Sequence, residues 1–139
     1  MPYDPILVQP MRDELTRLGV EELLDADAVD AFVKRPGTKL IVVNSVCGCA
    51  AGMARPAVTL ALRHAVRPDH VASVFAGQDL EATAKARSWF PDVPPSSPSI
   101  FLVKDQELVA FVPRHRIENR DAASIAFDLV EAFDAHCAA

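Results

Sequence analysis

The most distinctive hydrophobic pattern in the chain is the run Leu40-Ile41-Val42-Val43. Continuous aliphatic and β-branched residues are typical of a strand that is buried on both faces of a parallel sheet. Two further apolar segments, at about 70–76 and 99–103, predict strands as well. A turn at 104–106 joins the last of these to an apolar segment at 107–112, so this pair predicts an antiparallel hairpin.

Around these strands, apolar residues recur every three or four positions, which is the periodicity of an amphipathic helix. In the last predicted helix this spacing places Ile125, Leu129 and Phe133 on one face. The ends of each helix follow from its neighbours, because Asp favours a helix start and Gly and Pro favour a stop. The predicted helices run from Pro10 to Gly19, from Asp25 or Asp27 to Pro36, from Pro56 to His64, from Asp79 to about Phe90, and onward from about Asp121.

A chain of 139 residues, half of them apolar, is the size of one compact domain, and we expect a single domain over 1–139. The formal net charge of −5 argues against nucleic acid as the main partner, because binding a polyanion takes a cationic surface. No apolar run approaches the ~20 residues that a membrane-spanning helix needs. The start of the chain, MPYDPILVQP, lacks the cationic region of a signal peptide. These features predict a cytoplasmic protein that binds neither nucleic acid nor membrane.

Two of the three cysteines, Cys47 and Cys49, are separated by one glycine just beyond the strand at 40–43. Open α/β sheets place their sites at the carboxyl ends of such strands. A helix is predicted to follow, and the N–H groups and dipole at a helix N-terminus stabilise a thiolate and lower the thiol pKa. Cys47 is therefore the candidate nucleophile for thiol–disulfide exchange, and Cys49 is the candidate resolving thiol. Gly48 supplies backbone freedom to the tight Cys-Gly-Cys ring, and strain in that ring predicts a relatively oxidising disulfide.

A second informative segment is the loop at 91–98, in which four of the eight residues are proline. A strand ending in a cysteine pair, followed by a helix, a strand, a helix, a proline loop, a hairpin and a helix, resembles the thioredoxin layout. That resemblance implies an α/β, thioredoxin-like three-layer fold, with a central four-stranded mixed sheet, helices on both faces and an N-terminal helical extension. It also implies that Pro98 is a cis proline near the cysteines and that the Ser97 backbone pairs with a substrate strand.

The hairpin topology brings a basic cluster back towards the cysteines. The first strand of the hairpin is expected to run away from the thiols, so the second returns and delivers Arg114, His115 and Arg116 to them. These side chains, together with Arg55, are candidates for lowering the pKa of Cys47 or for holding an anionic group of a substrate. The alternative for any one member of the cluster is a solvated surface turn.

Other interpretations of the cysteines stay open at this point. A Cys-x-Cys pair also occurs as a buried bystander or as part of a metal site, but a closed zinc site needs four ligands. The third cysteine and the four histidines are not at ligand spacing, so we predict no bound metal. We predict no bound organic cofactor either. Cys137 lies four residues after Phe133 on the apolar stripe of the last helix and is predicted to be a packing residue.

The residues around the cysteine pair also form a recognisable signature. The segment VVNSVCGCAAG at 42–52, followed by ARPA at 54–57, resembles the bacilliredoxin family with a Cys-Gly-Cys site. Shorter matches are LVQPMR at 7–12, PSSPS at 95–99, PRH at 113–115 and Ile117-Glu118, so the resemblance covers essentially the whole chain. Asn119 stands where the family often has glycine, and asparagine tolerates the left-handed backbone nearly as glycine does.

The resemblance implies a thiol–disulfide oxidoreductase that reduces mixed disulfides between proteins and bacillithiol, a low-molecular-weight thiol. Cys47 matches the nucleophile that takes bacillithiol from the client protein, Cys49 the second thiol, and Pro98 the substrate-facing proline. Bacillithiol is then the thiol co-substrate, and bacillithiolated or disulfide-containing proteins are the partners. The malate group of bacillithiol carries two carboxylates, for which Arg55 and the cluster at 114–116 are candidate ligands. Two alternatives remain: a general protein disulfide isomerase or reductase, and a non-catalytic thiol- or metal-binding module.

Overall fold

A computed structural model describes residues 2–138 of the chain. Its centre is one mixed sheet of five strands in the order β1-β3-β2-β4-β5. The strands are β1 (Glu21–Glu22), β2 (Thr38–Asn44), β3 (His70–Phe75), β4 (Ser99–Lys104) and β5 (Glu107–Val112). The α-helices are α1 (Pro5–Thr16), α2 (Ala26–Val33), α3 (Arg55–Ala61), α4 (Leu80–Ser88) and α5 (Ala122–His136).

The sheet confirms the predicted strand directions and adds one strand. β2 is parallel to β3 and antiparallel to β4, and β4 and β5 form the antiparallel hairpin. The additional strand is β1, a two-residue edge strand that pairs in parallel with β3. We predicted four strands, because two adjacent glutamates show none of the apolar alternation by which a strand is identified.

Two hydrophobic cores lie on opposite faces of the sheet. Leu40 and Val42 of β2 contribute to the core packed by α1, α3 and α5, whereas Ile41 and Val43 contribute to the core packed by α2 and α4. Every residue of β2 is buried, because its alternate side chains enter different cores. This two-sided burial explains why the strand is a continuous apolar run in the sequence.

The first helix begins earlier than predicted. α1 starts at Pro5, with Asp4 as the capping residue, and Pro10 lies inside it. The Asp4 carboxylate accepts the N–H of Ile6 at 2.9 Å. Asp4 followed by Pro5 is a strong start signal, because the aspartate supplies the cap and proline suits the first helical position. The predicted start at Pro10 is therefore wrong. The predicted stop signal is confirmed, because Gly19 lies just beyond the last residue of the helix, Thr16, and has a φ of 87°, in the left-handed region.

Aspartate caps begin two of the other helices, but not α4. Asp25 accepts the N–H of Ala28 at 2.8 Å, and Asp121 accepts that of Ser124 at 2.7 Å. Asp79 stands at the capping position of α4, yet its carboxylate binds both terminal nitrogens of Arg12, at 2.8 and 3.0 Å. The bidentate pair ties α1 to the start of α4, a connection that local sequence signals do not contain. Three helix ends also fall short of their predicted positions: α2 stops at Val33, α3 at Ala61 and α4 at Ser88.

Three aromatic rings stack in the core between the sheet, α2 and α4. The ring of Phe101 lies between those of Phe90 and Phe111, with centroid distances of 5.2 and 4.8 Å. Phe101 belongs to β4, and only 3% of it is exposed.

We expect Phe101→Ala to lower the free energy of unfolding by about 3–5 kcal/mol, because it removes a buried ring and leaves a cavity. Denaturant unfolding monitored by circular dichroism measures the change. Phe127→Ala is the matched control, since Phe127 is 62% exposed and its loss should change stability by no more than about 0.5 kcal/mol. Equal effects of the two substitutions would contradict this view of the core.

Candidate active site

Cys47 lies in the turn that follows β2, and helical structure begins directly after it. The N–H groups of Ala50 and Ala51 donate to the Cys47 carbonyl oxygen at 2.9 and 3.3 Å. A π-helical turn at Ala50–Ala54 then continues into α3. The helical segment thus starts before Pro56, where we predicted its first residue, and Cys49 belongs to its first turn. Wide turns of this kind are frequent at functional sites.

The start of the helical segment stabilises the Cys47 thiolate. The backbone N–H of Cys49 donates to Cys47 Sγ at 3.4 Å. This hydrogen bond is the main reason that the pKa of Cys47 is lowered, while burial acts in the opposite direction. The positive charge of Arg114 and the N–H of Ala50 lower the pKa further. The direction agrees with the expectation for a thiol at a helix N-terminus.

Cys49 has the opposite tendency. Burial raises the pKa of Cys49, as do the hydrogen bond and charge of Cys47 and the charge of Glu118, whereas Arg114 opposes them. The Cys49 thiol is also within contact of a carboxylate, with 4.0 Å between Cys49 Sγ and Glu118 Oε2. Two thiols separated by one residue are therefore chemically inequivalent. One favours the nucleophilic thiolate, and the other favours the thiol.

Arg114 connects the thiols to the proline loop. Its Nη1 donates to the carbonyl oxygen of Ser97 at 3.4 Å, and its Nε donates to Glu118 Oε2 at 3.3 Å. Its backbone N–H donates to Ser96 Oγ at 3.3 Å. The hairpin therefore returns Arg114 to the edge of the sheet that carries the cysteines, as predicted, and the Ser97–Pro98 peptide bond is cis, as also predicted.

The other two members of the basic cluster, Arg116 and His115, are placed differently from Arg114. The guanidinium of Arg116 pairs with Asp128 of α5 at 3.4 Å. Arg116 is also absent from the groups that shift the pKa of either active-site thiol, and its proposed role in binding a substrate anion stays a prediction. His115 is exposed in the same turn, and its proposed role stays a prediction.

Arg55 also differs from the prediction, because its guanidinium is used by the fold. The residue is 2% exposed. Its Nε donates to the Glu14 carboxylate, and its Nη1 donates to Asn44 Oδ1 and to the carbonyl oxygen of Ser45, both at 2.9 Å. A buried guanidinium bonded to these acceptors is not available to a substrate carboxylate. It is also absent from the groups that shift the pKa of Cys47.

Arg55 acts instead on the backbone that precedes the nucleophile. Asn44 Oδ1 accepts the N–H of Ser45 at 2.9 Å as well as the Arg55 donor, and Ser45 Oγ accepts the N–H of Cys47 at 3.0 Å. Asn44 Nδ2 donates to the carbonyl oxygen of Met11 in α1 at 3.2 Å. A continuous set of hydrogen bonds therefore leads from Arg55 to Cys47. The sequence signal was the change from apolar to polar residues at the end of β2, which we did not interpret.

Sequence analysis also did not predict that Glu118 belongs to the site. Its backbone N–H donates to the carbonyl oxygen of Arg114 at 3.0 Å, which holds it one turn after that arginine. The next residue, Asn119, has a φ of 64°, the left-handed conformation that its glycine-like position implied. The four-residue spacing from Arg114 was visible, but only the tertiary structure brings Glu118 to a thiol.

The third cysteine lies outside this site. Cys137 packs against the core shared by α3 and α5, as predicted, and burial raises its pKa. Across residues 2–138, no three His, Cys, Asp or Glu side chains converge as a bound metal ion requires. Over the same residues, no helix is long and apolar enough to cross a membrane.

Known structures share this arrangement of strands and helices. A thioredoxin of Malassezia sympodialis matches with a TM-score of 0.59 at 14% identity, covering 86% of this chain and 91% of its own. A protein described as an oxidoreductase with a thioredoxin fold matches with a TM-score of 0.62 at 13% identity, and the match covers 81% of this chain and 93% of that protein. The predicted thioredoxin-like fold is confirmed.

Relatives at the level of sequence are more specific. A family model described as disulphide isomerase matches residues 3–137. A bacilliredoxin of Geobacillus kaustophilus is 53% identical over 94% of this chain and 92% of its own, and one of Cytophaga hutchinsonii is 52% identical over 95% and 98%. One of Koribacter versatilis is 51% identical over 99% and 95%. The chain belongs to the disulphide isomerase family, and its resemblance to the bacilliredoxins is confirmed. The protein is therefore a thiol–disulfide oxidoreductase with a thioredoxin-like fold.

We expect Arg55→Ala to lower the free energy of unfolding by about 2–4 kcal/mol, because it leaves the buried acceptors on Asn44 and Ser45 without their charged donor. Arg63→Ala is the matched control, since Arg63 is exposed on the surface. Thermal or denaturant unfolding checks the difference. Equal stability of the two variants would show that the network around Arg55 contributes little.

Proposed function

We propose that this oxidoreductase removes bacillithiol from modified proteins by thiol–disulfide exchange at Cys47. The observation that carries the proposal is the hydrogen bond from the Cys49 N–H to Cys47 Sγ, because it stabilises the thiolate on which exchange depends. The name of the bacilliredoxins that this chain resembles indicates bacillithiol as the small thiol. Bacillithiol is then the co-substrate, bacillithiolated or disulfide-containing proteins are the clients, and no metal or organic cofactor takes part.

The first step transfers bacillithiol from the client to the enzyme. The Cys47 thiolate attacks the bacillithiol sulfur of the mixed disulfide, and the bond between that sulfur and the client breaks. The client cysteine leaves as a thiolate and takes a proton from solvent. One disulfide is exchanged for another, so this step involves no net oxidation.

The second step regenerates a free Cys47 or stores the oxidation in the protein. In the dithiol route, Cys49 attacks Cys47 Sγ, bacillithiol leaves, and a Cys47–Cys49 disulfide forms. In the monothiol route, a second bacillithiol attacks the bacillithiol sulfur bound to Cys47, which releases bacillithiol disulfide and the Cys47 thiolate. The monothiol route consumes one further bacillithiol. The dithiol route needs a separate reductant to restore the two protein thiols.

Substrate recognition is assigned to the residues around Arg114. Arg114 is exposed and lies beside both thiols, so its guanidinium is available to a malate carboxylate of bacillithiol. His115, exposed in the same turn, is a second candidate for that group. Ser97 and Pro98 are proposed to present backbone to the client chain. We assign the activity to the cytoplasm, where small thiols keep cysteines reduced.

The family description supports a second candidate function, protein disulfide isomerisation. The same Cys47 thiolate would attack a client disulfide instead of a mixed disulfide, and Cys49 would release clients that stay trapped. The two functions differ in the disulfide attacked and not in the nucleophile. Refolding of a protein with scrambled disulfides, compared with removal of bacillithiol from a modified one, distinguishes them.

We expect the variant Cys49→Ala, incubated with a bacillithiolated protein, to accumulate bacillithiol on Cys47. Without Cys49 the adduct cannot be resolved internally, so intact mass and peptide mapping should find it there. Cys137→Ser in every variant removes the third thiol, and Cys47→Ala is the control that should carry no adduct. An unmodified Cys47 in the Cys49→Ala variant would contradict the proposed function.

We expect Arg114→Gln to lower kcat/KM for a bacillithiolated protein about tenfold, and by no more than about threefold for neutral hydroxyethyl disulfide. Both substrates suffer when the Cys47 thiolate loses a nearby cation, but only bacillithiol loses a carboxylate partner as well. Arg116→Gln is the matched control, since its guanidinium pairs with Asp128. Equal losses for the two substrates would mean that Arg114 does not bind the malate group.

A further inference from the structure

The carboxylate of Glu118 lies beside the second thiol of the site. Its Oε2 is 4.0 Å from Cys49 Sγ and 3.3 Å from Arg114 Nε. The thiol is the donor in the first contact, so the carboxylate stabilises the protonated form of Cys49.

The backbone around Glu118 holds this carboxylate in place. Its N–H is bonded to the carbonyl oxygen of Arg114, and the preceding residue, Ile117, is completely buried in the core with α3 and α5. The 3₁₀ turn Arg114–Arg116 and the buried isoleucine thus anchor the chain directly before Glu118. The position of Glu118 follows from the fold and not from a flexible surface chain alone.

The groups that determine the pKa of Cys49 change once Cys47 forms a mixed disulfide. In the resting site, Cys47 contributes to the raised pKa of Cys49 through a hydrogen bond and through its negative charge. Once Cys47 is part of a mixed disulfide, its sulfur carries no charge. Burial and Glu118 then remain to disfavour the Cys49 thiolate, and Arg114 is the opposing cation.

We propose that Glu118 favours the thiol form of Cys49 while Cys47 carries the mixed disulfide, and so slows resolution by Cys49 relative to resolution by an external thiol. The inference rests on the proposed function, because it assumes that Cys47 forms such a disulfide. Glu118 thereby sets the partition between the two resolving routes. It restrains the dithiol route without blocking it.

The restrained step can be written in full. The Cys49 proton passes to solvent, and the resulting thiolate attacks Cys47 Sγ. The bond between Cys47 and the bound small thiol breaks, and that thiol leaves with the electron pair. The two protein cysteines are oxidised to a disulfide while the mixed disulfide is reduced. Glu118 opposes the first of these events, because a negative charge disfavours a second one nearby.

The experiment follows the release of a chromogenic thiol from dithiobis(nitrobenzoate) in the Cys137→Ser background. Attack by Cys47 gives a first phase that depends on reagent concentration. Attack by Cys49 on the mixed disulfide gives a second phase that does not, and Cys49→Ala should abolish it. The rate of the second phase as a function of pH reports the ionisation of Cys49 in the mixed-disulfide state.

We expect Glu118→Gln to speed the second phase about threefold at neutral pH and to move its pH midpoint lower. A unit charge about 4 Å away supplies an effect of this order in water, and the lower nucleophilicity of a less basic thiolate offsets part of it. At a pH where Cys49 is fully ionised, the variant should be no faster than the parent. Glu118→Asp retains the charge and should restore most of the original profile.

Two controls separate this effect from others. Glu107→Gln removes an exposed carboxylate at the start of β5 and should leave the second phase unchanged. Glu118→Gln combined with Arg114→Gln should still lower the midpoint relative to Arg114→Gln alone, because the carboxylate acts on Cys49 directly. With bacillithiol disulfide as the oxidant, Glu118→Gln should raise the fraction of Cys47–Cys49 disulfide found by mass spectrometry.

Either of two results would overturn the proposal. A slower second phase in Glu118→Gln would mean that the carboxylate removes the Cys49 proton and promotes the dithiol route. An unchanged pH midpoint would mean that it has no influence on Cys49. Failure of the proposed function looks different, because bacillithiol would then leave no adduct on Cys47 in the Cys49→Ala variant.

Discussion

The position of Cys47 depends on a buried guanidinium at the end of β2. Arg55 bonds Asn44 and Ser45, and Ser45 in turn accepts the N–H of Cys47. The end of a buried strand leaves backbone groups without sheet partners, and these must be satisfied by other groups. Because Arg55 lies on the helix that follows the cysteines, one side chain joins the strand before the site to the helix after it. Loss of that connection would affect both sides of Cys47 together.

The chemistry of the site arises from a small difference between two identical side chains. Cys47 accepts hydrogen bonds from N–H groups at the start of a helical segment and lies beside Arg114, and both effects lower its pKa. Burial raises the pKa of Cys49, which lies beside Glu118. A nucleophile and a resolving thiol need this inequivalence, because the thiolate is the reactive form. Arg114 and Glu118 also bond each other, so a ligand carboxylate on Arg114 would compete with Glu118.

Much of this arrangement could be predicted from local patterns. The apolar run at 40–43 predicted the buried strand, and the cysteine pair beyond it predicted a thiolate at a helix N-terminus. Hairpin geometry alone predicted that the turn at 114–116 returns to the cysteines, and Arg114 of this turn lowers the pKa of Cys47. The strand β1 could not be predicted, because its pairing with β3 comes from the backbone and its two glutamates carry no apolar signal.

The errors concern the directions in which side chains point. Arg55 lies close to the cysteines in the sequence, but its side chain is buried against Glu14 and Asn44. Arg116 belongs to the basic turn, but its side chain pairs with Asp128. The sequence by itself determined the order of the helices and of the four longer strands, and the candidate cysteine pair, since these follow from periodicity and spacing. Only the tertiary structure decided which charges reach the thiols, because that depends on contacts between residues far apart in the chain. Glu118 shows this clearly: it lies 69 residues from Cys49 in the sequence and 4.0 Å from its sulfur in the fold.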